Sequence, residues 1–320
     1  METIPDMRLG MAQPRSYKDA EEKNVEIALE TMEDASEDGI DFLCFPEGYP
    51  GPYFTDPEGY NPDERIKAKA DELDMHVAYG RLDGSDEGYY VSQFVIGPDG
   101  EELGVSRRRM PMGPPLYEAG EVFPSGCDFS EIAYGKEIPV IETELGWNVG
   151  IIICSEMFAP ELTRVAALKG ADMILFPSGW PVGGLRRPWQ QLTKSRAIEN
   201  LVYTAVNQHR YAERPGIEPL IGLIASPEEV LEQSDEAAII SADLQMDRLE
   251  HLRNRTEGVS VFEYKAVPGL SSGLRFYQHD GDDISRQTDL YEPLTMSPDE
   301  LEEISARPEV YANVQDHLDQ

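Results

Sequence analysis

Cys154 and Glu47 are the residues of this sequence whose types and positions are best suited to chemistry. Cys154 ends an apolar run that begins at residue 149, and a predicted helix follows it. A thiol at such a turn can be exposed from a rigid strand, and a helix N-terminus or a base nearby can lower its pKa. Glu47 holds an equivalent place after the apolar run 42–45. A thiol and a carboxylate of this kind can act as nucleophile and general base.

Each residue also has an ordinary structural interpretation. Free cysteines are frequently inert core residues, and a glutamate at the end of a strand can be a solvated turn residue. Open α/β sheets nevertheless place their ligands in the crevice beyond the carboxyl ends of the strands. Two strand-end residues that face one crevice would therefore favour a functional role.

Alternating strands and helices must position these residues. The apolar periodicity predicts strands at 7–12, 42–45, 76–80, 89–97, 104–110, 149–154, 173–176, 202–207, 221–225 and 237–242. Helices are predicted at 16–39, 64–73, 160–168 and 189–199, with Ser16 as the first N-cap and Gly39 as the first stop. The last two strands are expected to form a hairpin. The Pro- and Gly-rich segment 111–126 is expected to line a site.

This pattern predicts an α/β fold, with sheets inside and helices outside. Residues 1–277 are expected to form the main domain. Residues 278–320 become acidic and weakly periodic, which predicts a C-terminal extension that wraps the domain or a partner subunit.

The charge of the chain restricts its partners. With 61 acidic against 27 basic residues, the formal net charge is -34, which excludes nucleic acid and anionic membranes as natural partners. No run approaches the roughly 20 apolar residues of a membrane span, and the N-terminus lacks the regions of a signal peptide, so a cytoplasmic protein is expected. The acidity is typical of organisms with molar salt in the cytoplasm, where a Debye length of about 3 Å screens self-repulsion. Salt-dependent folding is expected.

No metal and no cofactor are predicted. Cys44, Cys127 and Cys154 lack a Cys-x-x-Cys spacing, which predicts reduced thiols. The 5 histidines are scattered without the i, i+4 spacing of a helix-borne metal pair, and no Gly-rich phosphate loop follows a strand.

Five ordered segments resemble the nitrilase superfamily of carbon-nitrogen hydrolases, and the resemblance spans about residues 7 to 255. The segments are Phe45-Pro46-Glu47, Cys154-Ser155-Glu156 with Pro160-Glu161, Pro177-Ser178-Gly179-Trp180, Arg196-Ala197-Ile198-Glu199-Asn200, and Asn207. The resemblance implies a four-layer α-β-β-α sandwich that commonly pairs into a homodimer or a higher homo-oligomer. It also implies a catalytic glutamate, lysine and cysteine, often assisted by a second glutamate.

By position, the resemblance makes Glu47 the general base, Cys154 the nucleophile and Glu118 the second glutamate, with Glu121 as a near alternative for the last. Glu47 would take the thiol proton as sulfur attacks an amide carbonyl and then return it to the leaving nitrogen. Substrate-binding residues are expected at Tyr53, Phe158 and Trp180. Trp180 has an equally good interpretation as a core or interface indole.

The sequence departs from the family at the lysine. The matching strand ends in Arg107-Arg108-Arg109, and the lysine position corresponds to Arg108 or to Arg109. No lysine occurs between Lys69 and Lys136. An arginine can stabilise a developing oxyanion, but it does not readily exchange a proton.

Three functions remain open at this point. The first is hydrolysis of an amide or carbamoyl small molecule through a cysteine thioester, which Ser155 favours because true nitrile hydrolases often have tryptophan there. The second is a weak or inactive relative with a metabolite-binding or regulatory role. The third is amide condensation or acyl transfer through the same thioester.

Overall fold

The structure is a computed structural model that describes residues 3–17, 20–51, 61–86, 88–110, 132–179, 186–211, 222–254, 294–297 and 300. The chain divides into two compact units, Met1–Leu274 and Arg275–Gln320. Only the few residues between 294 and 300 are described in the second unit, so the expected extension 278–320 stays a prediction. Across the described ranges, no helix has both the length and the apolar character needed to cross a membrane.

The first sheet has the strand order β15-β1-β3-β4-β5-β6, and β7 pairs with β5. Its strands are β1 (Met7–Ala12), β3 (Phe42–Cys44), β4 (His76–Ser85), β5 (Gly88–Ile96), β6 (Glu102–Arg107), β7 (Ile132–Ala133) and β15 (Ile239–Leu244). Strands β1, β3 and β4 are parallel, whereas β5, β6 and β15 join antiparallel. The carboxyl ends of β1, β3 and β4 therefore meet at one edge.

The second sheet has the strand order β14-β13-β11-β10-β9-β8. Its strands are β8 (Val140–Glu142), β9 (Asn148–Ile151), β10 (Met173–Ser178), β11 (Tyr203–Gln208), β13 (Gly222–Ala225) and β14 (Val230–Ser234). Strands β9, β10 and β11 are parallel. Two short strands, β2 (Arg15–Ser16) and β12 (Arg210–Tyr211), pair with each other.

Three apolar clusters define the layers. One cluster lies between the two sheets and joins residues such as Leu9 and Val91 to Ile151 and Leu175. Another packs the outer face of the first sheet on the helices α1 (Glu21–Glu37) and α2 (Asp63–Leu73). The last packs the outer face of the second sheet on α3 (Pro160–Leu168) and α4 (Arg186–Asn200). A final described helix, α5 (Met246–Asn254), packs Met246 and Leu249 on the cluster between the sheets.

This arrangement confirms the predicted α/β class and the four-layer α-β-β-α sandwich. Strand β1 and helix α3 have the predicted bounds. Helix α1 buries Val25, Ala28, Met32 and Ala35, as their spacing predicts. Gly39 follows its end with a φ of +69°, where glycine carries no Cβ penalty.

Two predictions about the elements are wrong. Ser16 does not cap α1, since it lies in β2 and the helix begins at Glu21. The last two predicted strands do not form a hairpin, because β13 pairs with β14 and β15 crosses to β1 of the first sheet.

Candidate active site

Four strand ends, two from each sheet, converge between the sheets. The first sheet contributes Glu47, three residues after β3, and Arg108, directly after β6. The second sheet contributes Cys154, three residues after β9, and Gly179, directly after β10. Among the predicted site residues, the structure thus brings together Glu47, Arg108 and Cys154.

The Glu47 carboxylate lies at the centre of this cluster. Its side chain is 2% exposed, and its Oε1 accepts a hydrogen bond from Nη1 of Arg108 at 2.7 Å. Its Oε2 accepts the backbone N–H of Gly179 at 3.0 Å. The carboxylate therefore receives a donor from each sheet, which fixes its orientation.

Gly179 has to be a glycine for this approach. A Cβ at position 179 would lie 2.8 Å from Oε2 of Glu47, which is too short for ordinary contact. The packing is even closer on the other side of the Glu47 loop, because a Cβ at Gly80 would lie 2.4 Å from the nitrogen of Gly48. Both glycines let the backbone come close to the Glu47 loop.

Cys154 begins a 3-10 helix, Cys154–Phe158, in a left-handed conformation with a φ of +57°. The residue as a whole is partly exposed, but its thiol lies in a buried environment. Burial is the main cause that raises the pKa of its thiol, to about 12, and the neighbouring Glu47 carboxylate acts in the same direction. The Arg108 charge and the Gly179 N–H act in the opposite direction. The thiol is therefore protonated at neutral pH and lies near the Glu47 carboxylate, whose charge acts on it.

Arg108 is 1% exposed and holds several parts of the site at once. Besides Glu47, its guanidinium donates to the carbonyls of Met110 at 2.8 Å and Ile153 at 3.5 Å. It also donates to Oγ of Ser155 through Nη2. The planar fork of arginine suits such divergent acceptors better than a lysine ammonium would.

A second buried carboxylate lies behind Cys154. Glu156 is fully buried, and its oxygens accept the backbone N–H groups of Ile153 at 2.9 Å, Met110 at 3.0 Å and Arg109. The Arg109 guanidinium lies 3.6 Å from Oε2 of Glu156. The pKa of Arg109 lies below its ordinary value, mainly because the side chain is buried. The Glu156 charge raises this pKa, and the Arg108 charge lowers it.

Buried amide and imidazole groups support the loop of Glu47. Asn207 donates from Nδ2 to the carbonyls of Ala12 at 2.9 Å and Cys44 at 2.8 Å, which joins β11 to the first sheet. His209 donates from Nε2 to the carbonyl of Glu47. Burial lowers the pKa of His209 to about 4, so the ring is neutral at pH 7.

The 3-10 helix is anchored to α4. Arg196 donates from Nε and Nη2 to the carbonyl of Met157, at 3.3 Å and 3.1 Å. Phe158, a predicted substrate-binding residue, is 43% exposed and meets Trp189 edge-on at 5.7 Å. Its position four residues after Cys154 leaves it close to the site along the chain, and its role in binding stays a prediction.

Glu118, Tyr53 and Trp180 lie outside the described residues, as does the alternative Glu121. Their predicted roles stay predictions. Arg109, the alternative to Arg108 as the lysine replacement, contacts Glu156 rather than Glu47. Among the described residues, no group of His, Cys, Asp or Glu side chains could hold a metal ion.

Sequence reasoning did not assign a function to Glu156, Gly179 or His209. Glu156 and Gly179 belong to the quoted motifs, which was the available signal for them. His209 carried no such signal, since its contact with the Glu47 carbonyl depends on β11 lying against the first sheet.

Comparison with known proteins identifies the class. Residues 8–261 match the carbon-nitrogen hydrolase family. Omega-amidase NIT2 of Xenopus tropicalis is 25% identical over 253 residues, which cover 73% of this chain and 87% of that protein. Omega-amidase NIT3 of Saccharomyces cerevisiae is 25% identical over 237 residues, covering 66% of this chain and 77% of that protein.

Solved structures show the same fold. A carbon-nitrogen hydrolase from Helicobacter pylori G27 superposes with a TM-score of 0.69 at 19% identity, over 91% of this chain and 99% of the other. Saccharomyces cerevisiae Nit3, described as a member of branch 10 of the nitrilase superfamily, gives a TM-score of 0.66 at 19% identity, over 80% of this chain and 96% of the other. The chain therefore belongs to the carbon-nitrogen hydrolase family and is an amidase-like enzyme. The predicted superfamily is confirmed.

Proposed function

We propose that this protein hydrolyses an amide or carbamoyl small molecule through a thioester on Cys154, with Glu47 as the general base. The convergence of Cys154 and Glu47 at neighbouring strand ends, where the carboxylate charge acts on the thiol, carries the proposal. A nucleophile with a base beside it is what a covalent mechanism requires. A module that only binds a metabolite has no need of this pair.

The raised pKa of Cys154 decides how the first step proceeds. Because the thiol keeps its proton at neutral pH, the sulfur becomes nucleophilic only as Glu47 removes that proton during the attack. The sulfur then bonds to the carbonyl carbon. When the tetrahedral intermediate collapses, the carbon-nitrogen bond breaks and Glu47 returns the proton to the leaving nitrogen.

The second step uses the same carboxylate. Glu47 takes a proton from a water molecule, the oxygen attacks the thioester carbonyl, and the carbon-sulfur bond breaks. The sulfur regains a proton and the product leaves as a carboxylic acid. Glu47 ends the cycle in its starting state.

Arg108 is assigned the place that the family gives to its lysine. Its Nη1 donates to Oε1 of Glu47 and lies 3.5 Å from the carbonyl of Ile153, the residue before Cys154. The positive charge of Arg108 therefore lies between the proposed base and the proposed nucleophile. A fixed positive charge there favours the negative charge that develops on the substrate oxygen. Arginine stays charged, so no proton transfer is assigned to it.

The names of relatives support the amide class. Omega-amidases recur among the similar sequences. An amidase from Nesterenkonia, with a TM-score of 0.62, is described with the acetamide moiety of fluoroacetamide added at its active site cysteine. Amides are therefore the substrates to test first.

A specific observation also favours the weak or inactive alternative. One oxygen of the proposed base is already engaged by a buried arginine at 2.7 Å. If that ion pair persists when substrate binds, proton transfer to Glu47 is slowed. This alternative is the outcome to be distinguished by experiment.

Intact-protein mass spectrometry with ammonia detection tests the proposal. Folded protein at high salt is incubated with small amides, carbamoyl compounds and nitriles, as wild type, Cys154→Ala and Cys44→Ala. The expected result is an acyl adduct or released ammonia that is lost in Cys154→Ala. Cys44→Ala should keep both, because the Cys44 thiol is buried in the core between the sheets. Folded wild type that gives neither across the panel would overturn the hydrolase and support the inactive alternative.

A further inference from the structure

Glu156 is a buried carboxylate that the mechanism above does not use. It lies two residues after Cys154 in the 3-10 helix and is fully buried. Its Oε2 accepts the N–H of Ile153, directly before the nucleophile. Its Oε1 accepts the N–H groups of Arg109 and Met110, directly after Arg108.

We propose that Glu156 is a positioning residue that fixes the Cys154 turn of the second sheet against the Arg108 strand end of the first. The proposal rests on the proposed function, in which Cys154 attacks while Glu47 acts as base. Glu156 contacts neither Glu47 nor Cys154 through a described side-chain hydrogen bond. It acts through the backbone on both sides of the site.

The need for such a link follows from how the sheets pack. Strands β6 and β9 belong to different sheets, and the cluster between the sheets is apolar. Apolar packing is non-directional, so hydrogen bonds have to set the relative position of the two strand ends. Ser106 and Arg109 also donate to the carbonyl of Ile151, at 2.8 Å and 2.9 Å. Glu156 extends this seam to the residue next to the nucleophile.

The carboxylate is chemically specific for this place. Two acceptor oxygens receive N–H donors from two segments, and the Arg109 guanidinium supplies the countercharge at 3.6 Å. A glutamine would keep one acceptor oxygen but turn an N–H group toward one of those donors. A buried donor without an acceptor is costly, so one of the two segments should shift.

A shift of either segment should change the position of the Cys154 side chain. The residue holds a φ of +57°, a conformation that non-glycine residues keep only where their surroundings impose it. A loosened turn would let the sulfur move away from Glu47 and toward solvent. The thiol pKa would then fall from about 12 toward its ordinary value, and attack on a bound amide would slow.

The test compares Glu156→Gln with a matched control, Asp172→Asn. Asp172 is also a buried carboxylate paired with an arginine, since it lies 2.6 Å from Nη1 of Arg253. It accepts the backbone N–H of Asn148 at 3.0 Å, at the opposite end of β9 from Cys154. Both substitutions should lower the melting temperature. Only Glu156→Gln should lower the apparent pKa of Cys154, measured by the ultraviolet absorbance of the thiolate after subtraction of the Cys154→Ala signal.

Turnover gives a second readout. Glu156→Gln should lower kcat by about 10- to 100-fold with little change in KM, because misplaced reacting groups slow chemistry more than binding. Glu156→Asp keeps the charge and should retain more activity, and it replaces the glutamine variant if that variant does not fold. A Glu156→Gln protein that melts lower but keeps the wild-type thiol titration and kcat would overturn the positioning role. The titration needs no substrate, so it tests Glu156 even if the proposed hydrolase activity fails.

Discussion

The Cys154 thiol is expected to keep its proton up to strongly alkaline pH, and replacing Glu47 should change that in a defined direction. Its pKa lies at about 12 against an ordinary 9.0, and each unit is tenfold in the ionised fraction. The thiolate at pH 7 should therefore be about 1,000-fold scarcer than for an ordinary cysteine. Because the Glu47 charge raises this pKa, Glu47→Gln should lower it.

The ultraviolet absorbance of the thiolate measures ionisation directly, without a substrate or an alkylating reagent. The difference between wild type and Cys154→Ala should show no thiolate between about pH 6 and pH 10, and Glu47→Gln should begin to ionise at lower pH than wild type. Turnover should fall in Glu47→Gln even though the thiolate forms more easily, because the substitution removes the proposed base. A wild-type transition near or below about pH 8.5 would refute the reasoning, since it would mean a preformed thiolate that needs no base.

Three further changes test other parts of the structure. Gly179→Ala places a methyl 2.8 Å from Oε2 of Glu47 and should lower kcat by about 10- to 100-fold, whereas Gly84→Ala, with a nearest contact of 3.4 Å, should not; equal kcat in the two variants would contradict the close packing. His209 has a folded pKa of about 4, below the 6.5 of an unfolded histidine, so the unfolded chain is protonated first as pH falls. Its share of stability, on the order of 3 kcal/mol, should be lost between about pH 6.5 and 4. His209→Gln keeps an N–H for the Glu47 carbonyl and should flatten that loss in urea titrations; an unchanged slope would count against a neutral buried ring. Finally, the net charge of -34 predicts that the urea midpoint rises with salt, and full stability in dilute buffer would exclude this.

The elements that were predicted well are those whose buried face repeats along the chain. In strand β1, every second side chain (Met7, Leu9 and Met11) belongs to the cluster between the sheets. In α1, the buried residues recur at helical spacing. The start of α1 was mispredicted because the side chain of Asn24 binds both backbone groups of Tyr17, at 2.9 Å and 2.8 Å. That contact holds the segment around Ser16 outside the helix, and the sequence pattern near Ser16 does not reveal it.

The late hairpin was mispredicted for a different reason. Strand β14 carries exposed polar residues such as Glu232 and Gln233 and lacks the apolar pattern of a strand. The apolar pattern of β15 therefore predicts the second strand of the hairpin. In the structure, Ile240 and Leu244 of β15 belong to the cluster between the sheets, and β15 pairs with β1. Pairing across more than 220 residues is set by which sheet can bury those side chains, and local periodicity does not contain that information.

The same limit applies to the site. The strand-end positions of Glu47 and Cys154 could be predicted because each closes an apolar run and matches a family segment, and Arg108 stands where the family places its lysine. Their mutual distances could not, since Cys154 comes from a different sheet than Glu47 and Arg108. Gly179 and Glu156 act through backbone N–H contacts that exist only once the sheets are packed.

The charges within the site are balanced, so the catalytic chemistry should depend little on the acidic surface. In the described part of the site, two buried carboxylates, Glu47 and Glu156, face two buried arginines, Arg108 and Arg109. Such pairs are screened by salt much less than exposed charges are. Salt should therefore change the fraction of folded protein far more than the turnover of the folded enzyme. The measurement is kcat per folded molecule from low to molar salt, with the folded fraction taken from circular dichroism. A kcat that rises with salt after this correction would contradict the argument. It would mean that the acidic surface acts electrostatically on Glu47 in spite of the two buried arginines.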